Sequence, residues 1–455
     1  MRKSSSFRKV LVANRGEIAI RIIRACRELG IKTVAVHSTA DTGMLHTKLA
    51  DESVCIGGPF PKDSYLNVMA ITSAAKLTGC DAIHPGYGFL SEKPILAELC
   101  DELEIAFIGP RAEVIRELGD KDRAKRVAKS VNIPTVPGSE EPVENVDQAF
   151  DIARDIGFPV LLKACAGGGG RGMRIVESES DFKEQFSNAQ QEVISAFGDP
   201  HIIIEKYIRK AKHIEAQILG DLHGNFLHFG LRECSAQRRF QKVIEEALPP
   251  TLPDDVQGEI ADQALKLCKH LGYHCLGTVE FIYDCDEQKY YFLEVNTRIQ
   301  VEHPVSEEVS RVDLVKLQIL AAQGDKITLN QGEIKFSGHA IELRVNAEDS
   351  VNLLPQAGQV EFYHQPSGFG VRVDSYLHSG AQVSPYYDSM IAKIICWERD
   401  RESCIDKSLA ALNEMVVVGV QTNQGFLRKI LSSDEFLSGH YTTNLVSSIL
   451  QGSDV

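Results

Sequence analysis

The stretch YYFLEVNTRIQVEHPVSEE, residues 290–308, decides how the rest of this 455-residue chain is interpreted. It begins as a predicted strand in which Glu294 interrupts aromatic and apolar residues. Upstream, GTVEFIY at residues 277–283 places Glu280 in the same setting, and the short polar link between them predicts a hairpin with both glutamates on one face. A carboxylate among apolar strand residues is unfavourable unless it is paired or holds a cation. With Asn296, the two glutamates would form an all-oxygen site for a hard cation such as Mg²⁺.

A dense polar loop runs straight out of this hairpin. It contains Arg298, Gln300, Glu302 and His303. The alternative is a pair of edge strands with solvated glutamates, which is the better explanation for either strand alone. The two interrupted strands together with this loop favour a functional site.

Length and composition indicate a globular protein of roughly two to four domains. The formal net charge of −14 at pH 7 argues against broad binding to nucleic acid or anionic membranes, but it permits a local basic pocket for phosphates. The eleven cysteines are odd in number and contain no CxxC pair, so we expect neither a disulfide framework nor a zinc site. Because no apolar run approaches transmembrane length and no signal core follows the basic N-terminus, we expect a soluble cytoplasmic protein.

The N-terminal part predicts an α/β unit with a parallel sheet. Residues 7–13 predict a buried strand, residues 16–29 an amphipathic helix and residues 31–37 the next strand. The turn lacks GxGxxG, so we expect no dinucleotide site there. The loop IHPGYGFLSE, residues 83–92, follows a strand and is either a ligand loop or a structural turn.

A second unit is predicted after the charged helical segment 120–130, where prolines break the chain. FPVLLKACAGGGGRGMRIV, residues 158–176, predicts strand, glycine loop and strand. A Walker-type loop would open into a helix with GK[ST], and neither feature is present. The glycines predict instead a flap whose backbone N–H groups close over phosphates, with Lys163 placed to meet one. The alternative is a hairpin tip without a ligand.

Charged residues recur in the strands and turns that follow. Residues 202–207 and 214–219 each have potential for a purine pocket, with Glu205 as an acceptor, although an ordinary sheet edge is the simpler interpretation. Residues 232–246 form a basic cluster that is either an anion site or a solvated charged turn. In the predicted strand 336–349, Arg344 lies on one face with Glu342, and a long β-rich tail follows. Helices are predicted at residues 254–271, 311–323 and 406–415.

Short strings in family order over nearly the whole chain carry a resemblance to one family. They are NRGEIAIRIIRA, IHPGYGFLSE, GDK at 119–121, KACAGGGGRGMR, EKYI, HIEAQ, ECSAQRR-QKVIEEA, GTVEF, FLEVNTRIQVEHPVSE, GHAIELRVNAED and PYYDSMIAK. The chain resembles the biotin carboxylases, the ATP-grasp component of acetyl-CoA carboxylase and related biotin-dependent carboxylases. Together these strings are highly specific.

The resemblance implies a multidomain α/β and α+β fold. An N-terminal parallel α/β (pre-ATP-grasp) domain would cover residues 1–119 and an ATP-grasp core residues 120–335, with a mobile lid at about 136–208. A β-rich C-terminal domain would cover residues 336–455. The implied reaction is the carboxylation of biotin by bicarbonate and ATP through carboxyphosphate.

The resemblance also implies the functional residues by position. ATP would contact Lys121, Lys163, Gly167, Gly168, Gly169, Gly170, Glu205, Lys206, Ile208, His213, Gln237, Glu280 and Glu294. Metal would fall to Glu280, Glu294 and Asn296. Bicarbonate and biotin would fall to Lys242, Arg298, Gln300, Val301, Glu302 and Arg344, with Tyr87 close to biotin.

The physical chemistry agrees with four of these residues as catalytic groups. Bicarbonate is a weak nucleophile that needs a base, and Glu302 suits that role. Lys242 and Arg298 would fix the planar anion. Arg344 would stabilise the negative oxygen of deprotonated biotin.

The family further implies cofactors and partners. Two Mg²⁺ or Mn²⁺ ions would accompany ATP, and biotin would be attached to a biotin carboxyl carrier protein, because no AMKM-like biotinylation motif is present. Carboxyltransferase subunits and a second copy of the chain, in a homodimer, would be the other partners. Acetyl-CoA carboxylase, in fatty acid synthesis, is the expected complex.

Four positions depart from the family pattern. Phe240 replaces a histidine, which should weaken or reshape nucleotide binding, and Ala166 replaces a glycine of the flap and should stiffen it. Val295 and Leu248 are interpreted as packing changes. The competing functions are another ATP-grasp ligase, which joins a carboxylate to an amine, and a non-catalytic nucleotide-binding subunit.

Overall fold

The N-terminal region of the structure is built on a parallel sheet of five strands in the order β3-β2-β1-β4-β5. The structure is a computed structural model that describes residues 6–164, 173–197, 200–350 and 352–451. The elements of this region are β1 (Lys9–Val12), α1 (Gly16–Glu28), β2 (Lys32–Ser38), α2 (Leu45–Leu49), β3 (Glu52–Gly57), α3 (Val68–Leu77), β4 (Ala82–His84), α4 (Pro94–Glu102), β5 (Ala106–Phe107) and α5 (Ala112–Gly119). All adjacent strands run parallel, so the predicted βαβ order is confirmed.

Helix α1 is buried on more sides than its apolar stripe predicts. Ile18 and Ile22 pack into the core as expected, at 1% and 0% exposure. Arg21 is also buried, because its guanidinium lies 2.8 Å from Glu307 and 2.7 Å from Asp313. These ion pairs join the N-terminal region to a segment almost three hundred residues later in the chain.

A small antiparallel sheet with the order β7-β6-β8 forms the lid region. Its hydrophobic core includes Leu162, Phe182, Phe186 and Ile204. The two predicted strands are confirmed as β6 and β7, which pair with each other. The glycines at 167–170 and Ala166 lie outside the described residues. The elements are α6 (Lys121–Ser130), α7 (Val146–Ile156), β6 (Val160–Ala164), β7 (Met173–Val176), α8 (Glu179–Phe197) and β8 (Ile202–Lys206).

Most later strands belong to one antiparallel sheet of eight strands in the order β13-β12-β9-β10-β11-β14-β19-β17. The pairs β15-β18 and β16-β20 are separate. The strands are β9 (Ala211–Gly220), β10 (Phe226–Arg238), β11 (Gln241–Ala247), β12 (Cys275–Asp284), β13 (Lys289–Asn296), β14 (His339–Asn346), β15 (Gly358–Gln359), β16 (Phe362–His364), β17 (Val371–Ser375), β18 (Gln382–Val383), β19 (Met390–Glu398) and β20 (Val416–Val418).

The predicted hairpin is present as β12 and β13. Glu280 lies directly opposite Glu294 in the ladder, so both side chains leave the same face of the sheet, as predicted. The sheet also runs through the predicted domain boundary at residue 336, because β11 pairs with β14. The domain division therefore stays a prediction.

The helices that follow the lid surround this sheet. They are α9 (Asp254–Leu271), α10 (His303–Ser310), α11 (Leu314–Gln323), α12 (Arg401–Glu414), α13 (Gln424–Leu431), α14 (Asp434–Ser438) and α15 (Leu445–Gln451), with 3-10 turns at Thr39–Asp41, Pro61–Asp63 and Gln331–Glu333. The predicted helix 254–271 is confirmed at both ends. None of the helices in the described part of the chain is both long enough and apolar enough to pass through a bilayer.

Two helix predictions and one loop prediction need correction. The helix predicted from residue 311 begins at Leu314, because Arg311 adopts a left-handed φ of 57° that ends α10. Helix α10 begins inside the segment that we assigned to a polar loop. Helix α12 starts at Arg401 rather than at residue 406, because Asp400 caps it by accepting from the Ser403 N–H at 2.8 Å.

The basic segment 232–246 is not a solvated turn along most of its length. It forms parts of β10 and β11, and only Arg239 and Phe240 make the turn between them, both with positive φ. The strand part of this segment carries buried charged side chains, including Arg232 and Glu246.

Glu246 connects this sheet to the C-terminal helices. Its carboxylate accepts hydrogen bonds from His339 at 2.7 Å, Arg401 at 2.7 Å and the Tyr441 hydroxyl at 2.7 Å. Burial favours the neutral carboxyl, but His339 and Arg401 lower the pKa of Glu246 to about 2. The ionised carboxylate thus stabilises the packing of three separate chain segments.

Replacing Glu246 by glutamine should destabilise the fold by about 3 kcal/mol at pH 7, because Arg401 loses its buried counter-charge. The stabilisation is present above the ordinary glutamate pKa of 4.5 and is lost as the pH falls towards 2. Urea unfolding at pH 7 and in acid measures both effects. Glu140→Gln, at a side chain that is 86% exposed, is the control and should match the wild type. Equal stability of Glu246→Gln and the wild type at pH 7 would contradict this role.

Candidate active site

One cavity of about 1210 Å³ brings together most of the side chains predicted to be functional. The loop after β4, the start of α1, the lid strands and the large sheet form its walls. Along these walls lie Tyr87, Lys121, Lys163, His213, Gln237, Lys242, Glu280, Glu294, Asn296, Arg298, Gln300, Val301 and Arg344. Glu302 is fully buried directly behind Lys242 and Arg344.

The ammonium group of Lys242 lies at the centre of this site. Its Nζ is 2.7 Å from Glu302 Oε1 and 3.3 Å from Glu280 Oε1, and it also contacts Glu215. Burial favours the neutral form of all three carboxyl groups, but Lys242 holds the pKa of each below its usual range. Three buried carboxylates can share this small volume because the cation lies between them.

Glu280 accepts bonds from three further groups. His213 Nε2 lies 2.9 Å from Glu280 and 3.3 Å from Glu215, while the side-chain amides of Asn296 and Gln300 donate to Glu280 at 2.7 and 3.0 Å. Burial alone would lower the pKa of His213, but the two carboxylates raise it to about 9. The imidazole is therefore charged at neutral pH.

Two sets of side chains near Glu280 could be considered for a divalent cation. His213, Glu215 and Glu280 place potential ligand atoms within 4.8 Å of one another. This set includes an imidazole nitrogen, a ligand that suits zinc and other transition metals better than Mg²⁺. Glu280, Glu294 and Asn296 offer only oxygen ligands on one sheet face, which suits Mg²⁺ or Mn²⁺.

The two predicted arginines face the same cavity. Arg298 is held by Gln300 Oε1 at 2.8 Å, Asn296 Oδ1 at 3.0 Å and Glu92 at 2.9 Å, so it is fixed by the polar loop and by the loop after β4. Arg344 donates to Glu302 Oε2 at 2.9 Å. The carboxylate of Glu302 is thus held by Lys242 on one oxygen and by Arg344 on the other.

Only some of the residues predicted to hold the nucleotide line this cavity. Lys121 contacts Glu294 at 3.1 Å, and Lys163 reaches the cavity while paired with Glu205. Glu205 also contacts Lys125 and, like Lys206 and Ile208, does not line this cavity. The anionic partner that we expected for Lys163 is therefore, in this structure, a carboxylate of the protein.

Several charged groups of the site were not identified from the sequence. Arg232 is fully buried and lies 3.0 Å from Glu215 and 2.6 Å from the Gln217 oxygen. Glu245 contacts Arg344, and burial raises the pKa of Glu245 to about 7 against the attraction of that arginine. Glu215 could have been identified from the sequence, because HIEAQ places its carboxylate within an apolar strand, in the same way that GTVEFIY places Glu280.

The structure locates three of the four departures from the family pattern. Phe240 is 74% exposed at the tip of the β10–β11 hairpin and lines the cavity. Val295 is buried in the core between α9 and the sheet, in agreement with a packing change. Leu248 has a φ of 63° directly after β11. Ala166 lies outside the described residues.

Comparisons with known families match the chain in three consecutive parts. The model described as biotin carboxylase, N-terminal domain, matches residues 6–115. The carbamoyl-phosphate synthase L chain, ATP binding domain, matches residues 120–330, and the biotin carboxylase C-terminal domain matches residues 342–448.

Individual relatives match over nearly their full length. Biotin carboxylase 1 of Bacillus subtilis is 50% identical over 97% of this chain and 98% of its own. A pyruvate carboxylase subunit of Methanothermobacter thermautotrophicus is 46% identical over 98% of this chain and 91% of its own. A solved structure, the biotin carboxylase domain dimer of Hydrogenobacter thermophilus 2-oxoglutarate carboxylase with MgADP, ADP and bicarbonate, is 46% identical, with a TM-score of 0.89 over 98% of this chain and 99% of that one.

Replacing Lys242 by methionine should destabilise the fold by about 3 kcal/mol at pH 7, because three buried carboxylates lose their shared cation. Without that cation their pKa values should rise above ordinary values, so the folded state gains protons and recovers stability as the pH falls towards 5. Urea unfolding at the two pH values measures the effect. The exposed Lys289→Met should behave as the wild type, and a Lys242→Met penalty that does not change with pH would contradict the cluster.

Proposed function

The chain belongs to the biotin carboxylase family, and we propose on that basis that it carboxylates biotin with bicarbonate while ATP is converted to ADP and phosphate. The position of Glu302 carries the proposal. This base is held between Lys242 at 2.7 Å and Arg344 at 2.9 Å, next to the paired carboxylates of Glu280 and Glu294. Such an arrangement suits the capture of a small anion beside a metal–nucleotide complex.

We assign the nucleotide to the lid side of the cavity. Lys121 and Lys163 reach the cavity and would contact phosphate oxygens, with the glycines at 167–170 closing over them. Glu205, Lys206 and Ile208 would contact the purine, and His213 and Gln237 the region between nucleotide and bicarbonate. The solved relative with MgADP supports this substrate class. The exposed Phe240 cannot donate a hydrogen bond, so we expect a weaker or differently shaped nucleotide contact there.

Glu280, Glu294 and Asn296 would hold Mg²⁺ or Mn²⁺, two ions in the presence of ATP. When bound, the metal neutralises phosphate charge and aligns the group that is transferred. The residues themselves already lie on one face of the β12–β13 hairpin, within the same cavity as Lys121.

Bicarbonate would bind against Lys242, Arg298, Gln300 and Val301. Glu302 then accepts its proton while a bicarbonate oxygen attacks the γ-phosphorus and the bond to the ADP oxygen breaks, which gives carboxyphosphate. Because an anion on Lys242 weakens the attraction between that lysine and Glu302, substrate binding raises the basicity of Glu302.

Biotin would lie near Tyr87 and Arg344. Carboxyphosphate separates into CO₂ and phosphate, the phosphate removes the ureido N–H proton, and the nitrogen attacks CO₂. The negative charge that develops on the ureido oxygen is stabilised by Arg344. Closure of the lid keeps water from the intermediate.

The partners follow from this chemistry. We propose a biotin carboxyl carrier protein as the source of biotin, carboxyltransferase subunits as the receivers of the carboxyl group, and a homodimer, as in the solved relative. Acetyl-CoA carboxylase, in cytoplasmic fatty acid synthesis, is the complex that we favour. Relatives include subunits of pyruvate and 2-oxoglutarate carboxylases, so a test of the acceptor must compare the three.

Purified protein with MgATP, bicarbonate and biotin should form carboxybiotin, and Glu302→Gln should lower that rate by roughly 100-fold, because the base is lost. Carboxybiotin is measured with labelled bicarbonate, and ADP by a coupled assay. Glu177→Gln, at a side chain that is 55% exposed, is the matched control and should keep the wild-type rate. Full turnover by Glu302→Gln would exclude this residue as the base, and no carboxybiotin from the wild type would exclude the function.

Glu294→Gln should raise the Mg²⁺ concentration at half-maximal activity about tenfold, because one of two carboxylate ligands becomes neutral. The measurement is a Mg²⁺ titration at fixed ATP. EDTA should abolish activity in both proteins, and added Mg²⁺ should restore it. An unchanged titration curve for Glu294→Gln would remove this residue from the metal site.

A further inference from the structure

Lys393 is a buried cation that the proposed reaction does not use. It lies on β19 with 0% exposure, in register with Arg344 on one side and Asp374 on the other. An ammonium group in such a place is strongly unfavourable unless its charge and its three donors are satisfied. Its contacts therefore show which groups this lysine holds in place.

The Lys393 ammonium group connects two separate walls of the cavity. Its Nζ donates to the Val301 carbonyl at 2.6 Å, in the polar loop immediately before Glu302. It also lies 3.5 Å from Glu17 Oε1, in the first turn of α1. That same carboxylate oxygen accepts a hydrogen bond from the hydroxyl of Tyr87, which follows β4.

Among the carboxyl groups around Lys393, that of Glu17 comes nearest to its Nζ. Asp374 is paired with Arg372 at 2.7 Å, so its charge is already balanced. Glu342 lies 4.0 Å away, and neither of its oxygens accepts a hydrogen bond from a described residue. Burial holds the pKa of Glu342 well above its usual range, which favours the neutral form of this carboxyl.

We propose that Lys393 is a positioning residue for both small substrates, acting through the Val301 carbonyl on the bicarbonate side and through Glu17 and Tyr87 on the biotin side. The proposal rests on the proposed function for the identity of those substrates. Lys393 holds the Val301 carbonyl by a direct hydrogen bond and reaches the Tyr87 hydroxyl through Glu17. None of the contacts of Lys393 given above involves the predicted phosphate-binding lysines, so the nucleotide should be bound independently of it.

The test is the kinetics of full-length Lys393→Met with each substrate varied in turn. We expect the KM values for bicarbonate and for biotin to rise about tenfold, since small displacements of positioning groups have large effects. The KM for MgATP should be unchanged. Lys212→Met is the matched control, because Lys212 is also buried, at 3% exposure, and contacts a carboxylate, Glu233, at 2.9 Å and a carbonyl, Gly439, at 3.0 Å. It lies outside the cavity and should leave all three KM values unchanged.

The variant Glu17→Gln tests the biotin side of the proposal separately from the bicarbonate side. It keeps the bond from Lys393 to Val301 but replaces the carboxyl group that accepts from Tyr87 and contacts Lys393. The KM for biotin should therefore rise about fivefold while that for bicarbonate stays constant. Biotin KM values that stay at the wild-type level in both variants would overturn the proposal. So would an equal rise for MgATP, or the same pattern in Lys212→Met. If Lys393→Met does not fold, Glu17→Gln decides.

Hydrogen exchange gives a readout that does not depend on activity. In Lys393→Met the amides of residues 84–90 and 298–303 should exchange faster than in the wild type, and those of the lid should not. Unchanged exchange in both segments would overturn the positioning role even if carboxybiotin forms. Faster exchange in a protein that forms no carboxybiotin would support the positioning role while the proposed function fails.

Discussion

The site depends on one electrostatic constraint, the single ammonium group that keeps three buried carboxylates together. Glu215, Glu280 and Glu302 come from different parts of the chain, and all three contact Lys242. Repulsion between unit charges a few ångströms apart in a poorly screened interior amounts to several kcal/mol. A positive charge that binds at Glu280 weakens the attraction between Glu280 and Lys242. Lys242 can then interact with an anion. A change at one carboxylate therefore changes the ionisation of the other two.

The large sheet gives this cluster its geometry. Residues of β9, β11, β12, β14 and β19 point into one volume because the antiparallel ladder fixes which residues lie opposite one another. A shift of one residue in any strand would turn its charged side chains to the other face. The same ladder joins strands from both sides of residue 336, so the cavity is a property of the sheet rather than of either sequence half. The cross-strand pair of Glu280 and Glu294 is the simplest case.

Local sequence patterns predicted the positions of some residues of the site but not of others. Glu280 and Glu294 interrupt apolar strands, and that signal alone predicted that the two lie on one face. Lys393 also lies within an apolar strand, but its partners Glu17 and Val301 are about 376 and 92 positions away, and no local pattern encodes such pairings. The predicted helix boundaries were wrong for a different reason. The left-handed backbone of Arg311 and the cap at Asp400 set the boundaries, and the periodicity of apolar residues does not show either feature.

This chain has a net charge of −14, and the cations proposed to bind its anionic substrates are already paired with carboxylates of the protein. Lys121 contacts Glu294, Lys163 contacts Glu205, and Arg344 contacts Glu302. An incoming phosphate or bicarbonate must therefore replace a carboxylate, exchanging one charge-assisted bond for another. Such an exchange has a small net free energy unless the ligand engages several cations at once with the correct spacing. At the proposed sites, the paired cations would favour a metal–nucleotide and a one-carbon anion without a basic surface that attracts polyanions in general.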